Sequence, residues 1–580
     1  MARFGPDGNW YIDQFMWGYQ GIFRRNLAYR TDQAFKQIGL SLDPEAMLVG
    51  FAAPGRDGYP ICVEPEDGPW QPEHFSQVLQ AADDLFATDD DRRRIVTGDG
   101  QQAAFDSSSL DRVRRVALHS ALMAAQIYPD RLYFVGGSQI VGGYRTFPIL
   151  AVSAREWDAV PELPPYDQTS MRISNSLADE LMYRVLQNAS ISLSVGSNPS
   201  ELLSIARRPA GELAGIAASV FADGVATRVG GMPSELFEHL TAIAIAPYEG
   251  RRAVGRIAFV KPDASHSMTF HFGSPVPLSR TRSARKLLEM SGRQTVLLSD
   301  GAELFGVVES IGEDHFEATF DGRGSWTLSY AAVDYLTVSQ GTGRLPAPPL
   351  DQELFSDVLA RLFPEADTEP ESLWELSLVA ARQAHGTMLV IHRRADEEAA
   401  RLAGQSVPIQ PIRLDSAGLD AASTIDGAVL VAPDARCHAL GVILDGVASD
   451  RGDPGRGARF NSASRYVGEH RRDCVIVVVS EDGSIEMVPP PRRRISRSLL
   501  AQLVSDVVAA SSGDVDFERF HRLERKALDF AFYLSQSQCD ALHSARETVE
   551  RTRWSRSQIR MGAPTLSPHP DMDDSYFLDD

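Results

Sequence analysis

Residues 423–446 read STIDGAVLVAPDARCHALGVILDG. Asp426-Gly427 is a turn dipeptide at the mouth of an apolar run, Ala428 to Ala432. A turn over Pro433 to Arg436 separates it from a second run, Ala439 to Leu444. The pattern predicts strand, turn, strand. Upstream, HGTMLVIHR (385–393) is a third strand with a nearly continuous apolar run. Between them, ADEEAARLAGQSVPIQPI (395–412) reads as a helix, a break and a short extended piece. Downstream, RGDPGRGARFNSASRYVGEH (451–470) carries a Gly- and Arg-rich loop into helical spacing. Ala463, Tyr466 and Val467 fall at i, i+3 and i+4, an apolar face that anchors that helix. CVIVVVSEDGSIEMV (474–488) is a hairpin with Ser480-Glu481 at its turn. Strands and helices intermixed in this way place the chain in the α/β (α+β) class.

Taken in order, these pieces resemble the diadenylate cyclase (DAC) domain, the domain also found in the DNA-integrity scanning protein. Its Asp-Gly-Ala motif corresponds to Asp426-Gly427-Ala428, and HGTMLVI (385–391) to its first core strand. Its Gly-Thr-Arg-His-Arg-type loop corresponds to Gly457-Ala458-Arg459-Phe460-Asn461, continuing through Ser462 and Ala463. Its strand ending in Ser-Glu corresponds to Ser480-Glu481. The resemblance covers about 375–490 and implies a mixed central sheet flanked by helices over 350–500. It implies a cyclase that condenses two ATP into cyclic di-AMP, with two such domains face to face in a homodimer or higher homo-oligomer. Asp426, Arg459 and Ser462 would be catalytic. Gly427, Ala428, Leu444, Gly457, Ala458, Arg459, Asn461, Ser462, Ser480 and Glu481 would hold nucleotide. Asp426 and Glu481 would hold Mg²⁺ or Mn²⁺, hard cations that take carboxylate oxygen.

The chemistry agrees with the resemblance. A Gly-rich approach brings backbone close to a ligand. The following helix directs its N–H groups and positive dipole end at the loop. Arg459 adds a fork of donors suited to phosphate oxygens, and Arg451 and Arg456 add charge. The chain departs from the family where His becomes Phe460 and the next Arg becomes Asn461. Loss of charge beside a triphosphate weakens transition-state stabilisation. The rival reading is therefore a nucleotide-binding sensor that holds ATP or cyclic di-AMP without turnover.

The rest of the chain bounds the setting. At 580 residues it is too long for one core. A net charge of −21 repels polyanions, so nucleic acid is not an expected partner. Arg551, Arg553, Arg556 and Arg560 are interleaved with Glu547 and Glu550, the pattern of a solvated helix face. Cys62, Cys437, Cys474 and Cys539 form no C-x-x-C pair and read as reduced thiols. No signal peptide is visible, and no apolar run reaches the roughly 18 residues of a membrane span. The expectation is a cytoplasmic protein with no membrane partner.

Residues 1–290 read as a mixed α/β sensor or regulatory region whose signal is unknown. Within it SLADELMYRVLQNA (176–189) is helical; HLTAIAIAP, RRAVGRIAFVK and SHSMTFHFG (239–273) read as strands. The pairs Gly136-Gly137 and Gly142-Gly143 lack dinucleotide-loop spacing and read as hairpin turns. His266 and His271 fall on opposite strand faces, so they share no metal. Residues 291–345 read as a small β domain with hairpins at Asp300-Gly301 and Asp321-Gly322. QGTGRLPAPPLDQE (340–353) is the predicted boundary before the DAC-like domain. Helices follow over 501–562, then a disordered acidic tail over 563–580.

Overall fold

The computed structural model describes all residues except 1–2, 5–9, 12–13, 67, 90–100, 167–171, 195–208, 232–234, 262–266, 293, 310, 313, 323, 347–349, 365–366, 382–385, 447–456, 471–472, 480–484, 514, 516, 558–564 and 579–580. Arg451, Arg456, Ser480, Glu481, His266 and Arg560 therefore lie outside the described residues. The chain divides into two compact units, 1–347 and 348–580. The division falls inside the Gly- and Pro-rich segment 340–353.

The first unit holds two sheets. A five-stranded sheet orders its main strands Ile61–Glu64, Glu45–Ala52, Tyr144–Ser153 and Arg131–Val135, with Gln139–Val141 pairing the third. Phe147, Ile149 and Ala151 face one core with the helix Gln101–Ala125; Tyr144, Leu150 and Val152 face another with the helices Gln20–Gln37 and Leu177–Ser194. The alternation is that of a strand covered on both faces. Gly142 and Gly143 form the tight turn between Val141 and Tyr144, as the sequence predicts.

The second sheet has eight strands, and its centre is Val254–Phe259. That strand pairs in parallel with Val296–Ser299 and antiparallel with Phe316–Asp321. The sheet thus crosses the boundary expected at 290/291. Strands on both sides complete one hydrogen-bond ladder, which hairpin signals alone do not reveal. HLTAIAIAP also departs from expectation: residues Leu236–Ile245 form a helix. Leu236, Leu240, Ile243 and Ala244 are buried at helical spacing, and Asp223 accepts a 2.7 Å hydrogen bond from the backbone N–H of Leu236. A short apolar run carries no period that separates strand from buried helix.

The second unit is a three-layer sandwich. Its helices are α1 (Gln352–Leu362), α2 (Pro370–Ala381), α3 (Ala395–Arg401), α4 (Ser416–Ala422) and α5 (Ala458–Glu469). Its strands are β1 (Thr387–His392), β2 (Val407–Arg413), β3 (Ala428–Val431), β4 (Arg436–Val442), β5 (Cys474–Val479) and β6 (Ile485–Val488). The sheet order is β2-β4-β3-β1-β5-β6, with only β1 and β3 parallel. Leu389, Ile391, Val429 and Val431 pack against α1, α2 and α4. Met388, Val390, Ala428 and Leu430 pack against α3 and α5. Both faces of each central strand are apolar because both are covered.

Helices α6 (Arg497–Ala510), α7 (Phe517–Asp529) and α8 (Gln536–Ser557) enclose a separate cluster that includes Leu500, Val504, Phe520, Leu542 and Val549. Arg553 on α8 is ion-paired to the buried Glu550 at 2.7 Å. The tail departs from expectation. Phe577–Leu578 pairs in parallel with Ile495–Ser496, and Arg497 holds Asp574 at 2.6 Å. Tyr576 is buried beneath the Arg361 guanidinium, 4.1 Å from its ring centroid. Its acidic composition predicts disorder, but the aromatic pair within it supplies apolar area to pack.

Candidate functional site

Strand register brings the distant motifs to one end of the sheet. Met388 pairs with Ala428, Ala428 with Val442, and Thr387 with Val479. Asp426-Gly427 before β3, Gly386 before β1, Ile443–Gly446 after β4 and the end of β5 therefore share one rim.

The glycines admit this convergence. Gly427 has φ +115°, and a Cβ there would lie 2.5 Å from the carbonyl carbon of Gly441. Backbone meets backbone at this point because β4 bulges: Ala428 faces Val442 while Leu430 faces Ala439. Only glycine fits both the conformation and the space. At Gly386 a Cβ would lie 2.7 Å from Nη1 of Arg459 and 2.9 Å from the carbonyl oxygen of Val479. The missing side chain is the slot in which the guanidinium rests.

Arg459 reaches the rim from the first turn of α5, which opens on Gly457 with no capping side chain. Its Nη2 lies 3.8 Å from Oδ1 of Asp426, whose side chain is fully exposed. That separation is an electrostatic contact, not a hydrogen bond. Gly457 and Ala458 are exposed, and Asn461 and Ser462 are half-buried. Ser462 follows Arg459 by three residues and shares its helix face. Ala428 and Leu444 are buried in the core beneath the rim, so at these positions the backbone is what the rim presents. Phe460 packs against the same core. The structure thus brings together Asp426, Gly427, Leu444, Gly457 and Arg459; Ser480 and Glu481 lie outside the described residues.

Beneath the rim lies a polar network that the sequence does not announce. Glu398 on α3 is buried, and its carboxylate accepts from Tyr466 Oη at 2.5 Å and from Arg401 at 2.7 and 2.8 Å. The other edge of the Arg401 guanidinium donates to both oxygens of Asp445 at 2.6 and 2.7 Å. One guanidinium therefore ties α3 to the segment carrying Leu444, and one phenol ties α3 to α5. Burial alone would raise the Glu398 carboxyl, but hydrogen bonds from Arg401 and Tyr466 outweigh it and leave it below its ordinary value. Burial first, and the Glu398 carboxylate second, push the Tyr466 phenol well up. The ring of His470 stacks on Tyr466 at 4.5 Å. His392 is buried beside His470, ring centroids 5.6 Å apart, and burial lowers its pKa. Its Nδ1 accepts from the backbone N–H of Arg394 at 3.1 Å, while Nε2 has no hydrogen-bond partner. Only the Glu398–Arg401 spacing on a short helix hints at any of this in the sequence.

Among the described residues no group of three or more His, Cys, Asp or Glu is placed to hold a metal. A single open carboxylate suits Mg²⁺ or Mn²⁺ that arrives with phosphate and keeps much of its coordination from phosphate and water. Among the described residues no helix is long and apolar enough to cross a membrane.

Residues 378–489 match the family described as DisA bacterial checkpoint controller nucleotide-binding (DAC). Residues 16–222 match a probable sensor domain, DACNG, and residues 234–332 match another, DACNH. The second match spans strands on both sides of residue 290, in keeping with the single sheet found there. No curated protein matches the chain. The chain thus carries a DAC domain, of the DisA nucleotide-binding family, behind two probable sensor domains.

Proposed function

We propose that the DAC domain is a diadenylate cyclase, joining two ATP into cyclic di-AMP with release of two pyrophosphates, and that the N-terminal unit gates it. The observation that carries the reading is the meeting of Asp426, the Gly427 turn and Arg459 at one rim of the sheet, with the uncapped start of α5 beside them. Each ring-closing step needs a 3′-hydroxyl of one ATP to attack the α-phosphorus of the other. Arg459, resting in the Gly386 slot, would bind and orient phosphate oxygens. The positive end of α5 would stabilise the charge that develops on them. Asp426 would hold Mg²⁺ or Mn²⁺, whose chemistry is to neutralise phosphate charge and activate the attacking oxygen. One domain holding one ATP cannot close the ring, so two domains must face each other in a homodimer or larger homo-oligomer.

The second reading, a nucleotide-binding sensor without turnover, is favoured by Phe460. Its ring is committed to the core, at a place where the family pattern has a His. Incubating the full chain with ATP and Mn²⁺ separates the two. Cyclic di-AMP, formed with a specific activity that rises with protein concentration, supports the cyclase. Tight ATP binding without product supports the sensor. Activity independent of concentration down to a demonstrated monomer overturns the face-to-face mechanism.

A further inference from the structure

The first unit contains a charged cluster where an apolar stripe should continue. On the helix Gln101–Ala125, Val113, Ala117, Leu118 and Leu122 pack against the five-stranded sheet. Going back along the helix from Leu118, the positions at i−3, i−4 and i−7 are Arg115, Arg114 and Asp111. Asp111 meets the segment Gly136–Ser138, which links the strands Arg131–Val135 and Gln139–Val141 along the same edge of Tyr144–Ser153, the strand that carries Arg145. Asp111 accepts hydrogen bonds from the Ser138 backbone N–H, at 3.1 Å, and from its hydroxyl. Arg145 Nη1 donates to the Ser138 hydroxyl at 3.1 Å. Arg115 Nε stands 3.4 Å from Asp111. Beside Gly137 the space is bounded by Ser190 Oγ and Asp111 Oδ2, 3.5 and 3.6 Å from where a Cβ would lie.

The charges do not balance. Arg114, Arg115 and Arg145 outnumber the acids that act on them, Asp111 and the exposed Asp83. Among the described residues the buried Nε of Arg114 has no hydrogen-bond partner, and the buried Nε of Arg115 has only its ion pair to Asp111. A native structure rarely leaves such donors orphaned without a reason. Burial, and then the charge of Arg145, lower the Arg114 pKa, with Asp83 and Asp111 offsetting only part. A half-buried, net-positive cluster of planar forks is costly when empty and well matched to an oxyanion.

We propose that Arg114, Arg115, Arg145 and Ser138 form a binding site for the phosphate group of a small ligand, and that this is where the first sensor domain takes its signal. The site lies within residues 16–222, in the other unit from the DAC rim, so it stands or falls independently of the cyclase reading.

Hydrogen–deuterium exchange on the full chain tests this. Peptides covering 110–118 and 136–146 are followed with inorganic phosphate, with AMP, and with sodium chloride at matched ionic strength. Saturable, several-fold slowing with phosphate supports a free-ion site; slowing with AMP alone supports a nucleotide. Either response must vanish in Arg114→Met and Arg145→Gln and persist in Arg459→Ala. In the absence of ligand, Arg114→Met should not lower the melting temperature, because it removes a buried charge lacking a partner at Nε. No slowing with either probe, slowing that chloride reproduces, or slowing that survives both arginine variants overturns the proposal. If Arg114→Met fails to fold, the guanidinium is structural, and Arg145→Gln alone decides whether the anion binds there.

Discussion

The two ends of helix α5 do opposite things. Its first turn places Arg459 against an open rim, 3.8 Å from a fully exposed Asp426. Two turns on, Tyr466 is fully buried and locked at 2.5 Å to Glu398, with Arg401 and Asp445 completing a bidentate chain. Exposed charges such as that of Asp426 are poor sources of stability, because water screens them. They remain available to a ligand for the same reason. Buried, fully hydrogen-bonded charges fix geometry and are unavailable to anything else. The helix therefore carries function at one end and its own positioning at the other. Substitutions at the two ends should separate activity from stability.

The sharpest way to break this division is Asp426→Asn. If the rim performs the proposed chemistry, the change should cost about 10²-fold or more in cyclic di-AMP formation with Mn²⁺, the scale of losing one electrostatic stabiliser of a transition state. The melting temperature should not move, since the side chain touches only solvent and a distant guanidinium. Wild-type turnover in the variant would remove Asp426 from the mechanism. Arg459→Ala comes next. A charge-assisted hydrogen bond to phosphate is worth about 1.5–3 kcal/mol, so ATP affinity measured by calorimetry should fall roughly ten- to hundredfold. Unchanged affinity would make the Gly386 slot a packing feature only.

Tyr466→Phe probes the closed end. It removes one donor from the buried Glu398 carboxylate and leaves packing almost unchanged. The expected loss is about 1–3 kcal/mol in urea unfolding of the DAC unit, with ATP affinity reduced less than by Arg459→Ala. An unfolding midpoint equal to the parent's would mean that Arg401 alone satisfies Glu398.

The same contrast explains what the sequence reveals. Asp426-Gly427, Gly457 through Ser462 and the apolar β1 are local patterns, and their order along the chain suffices to place them on a strand mouth, a helix start and a buried strand. The anchoring face Ala463, Tyr466 and Val467 is legible from helical spacing and is buried as expected. The network is not legible, because Glu398 and Tyr466 are 68 residues apart and only the sandwich brings them together. In the first unit, Leu236–Ile245 misleads because the short, mostly apolar stretch Leu240–Ile245 shows no period that marks it as helical. The acidic tail misleads because composition counts Asp573 and Asp574 equally with Tyr576 and Phe577, and only the aromatics decide whether it docks.

The smallest expected effect belongs to His392, and it sharpens the picture of the closed end. Its ring faces Glu398 and Asp473, which favour the proton, and His470 and Arg394, which oppose it; burial dominates and lowers its pKa. A histidine whose folded pKa lies below its unfolded value near 6.5 contributes stability that is complete above that pH. As the pH falls below about 6.5 the unfolded chain takes up a proton that the folded chain refuses, so stability declines, by at most about 1.4 kcal/mol per pH unit. The decline ends at the folded pKa, where both states are protonated. Glu398 and Asp445 are also depressed, but as carboxylates their window opens only below the ordinary carboxylate range of about 4. Urea unfolding between pH 7 and 5.5 therefore separates the histidine from these two carboxylates. The parent's midpoint should fall across that interval, and that of His392→Gln, which cannot titrate, should fall less. Parallel curves would assign the slope to another group and leave the orphaned Nε2 of His392 without thermodynamic consequence.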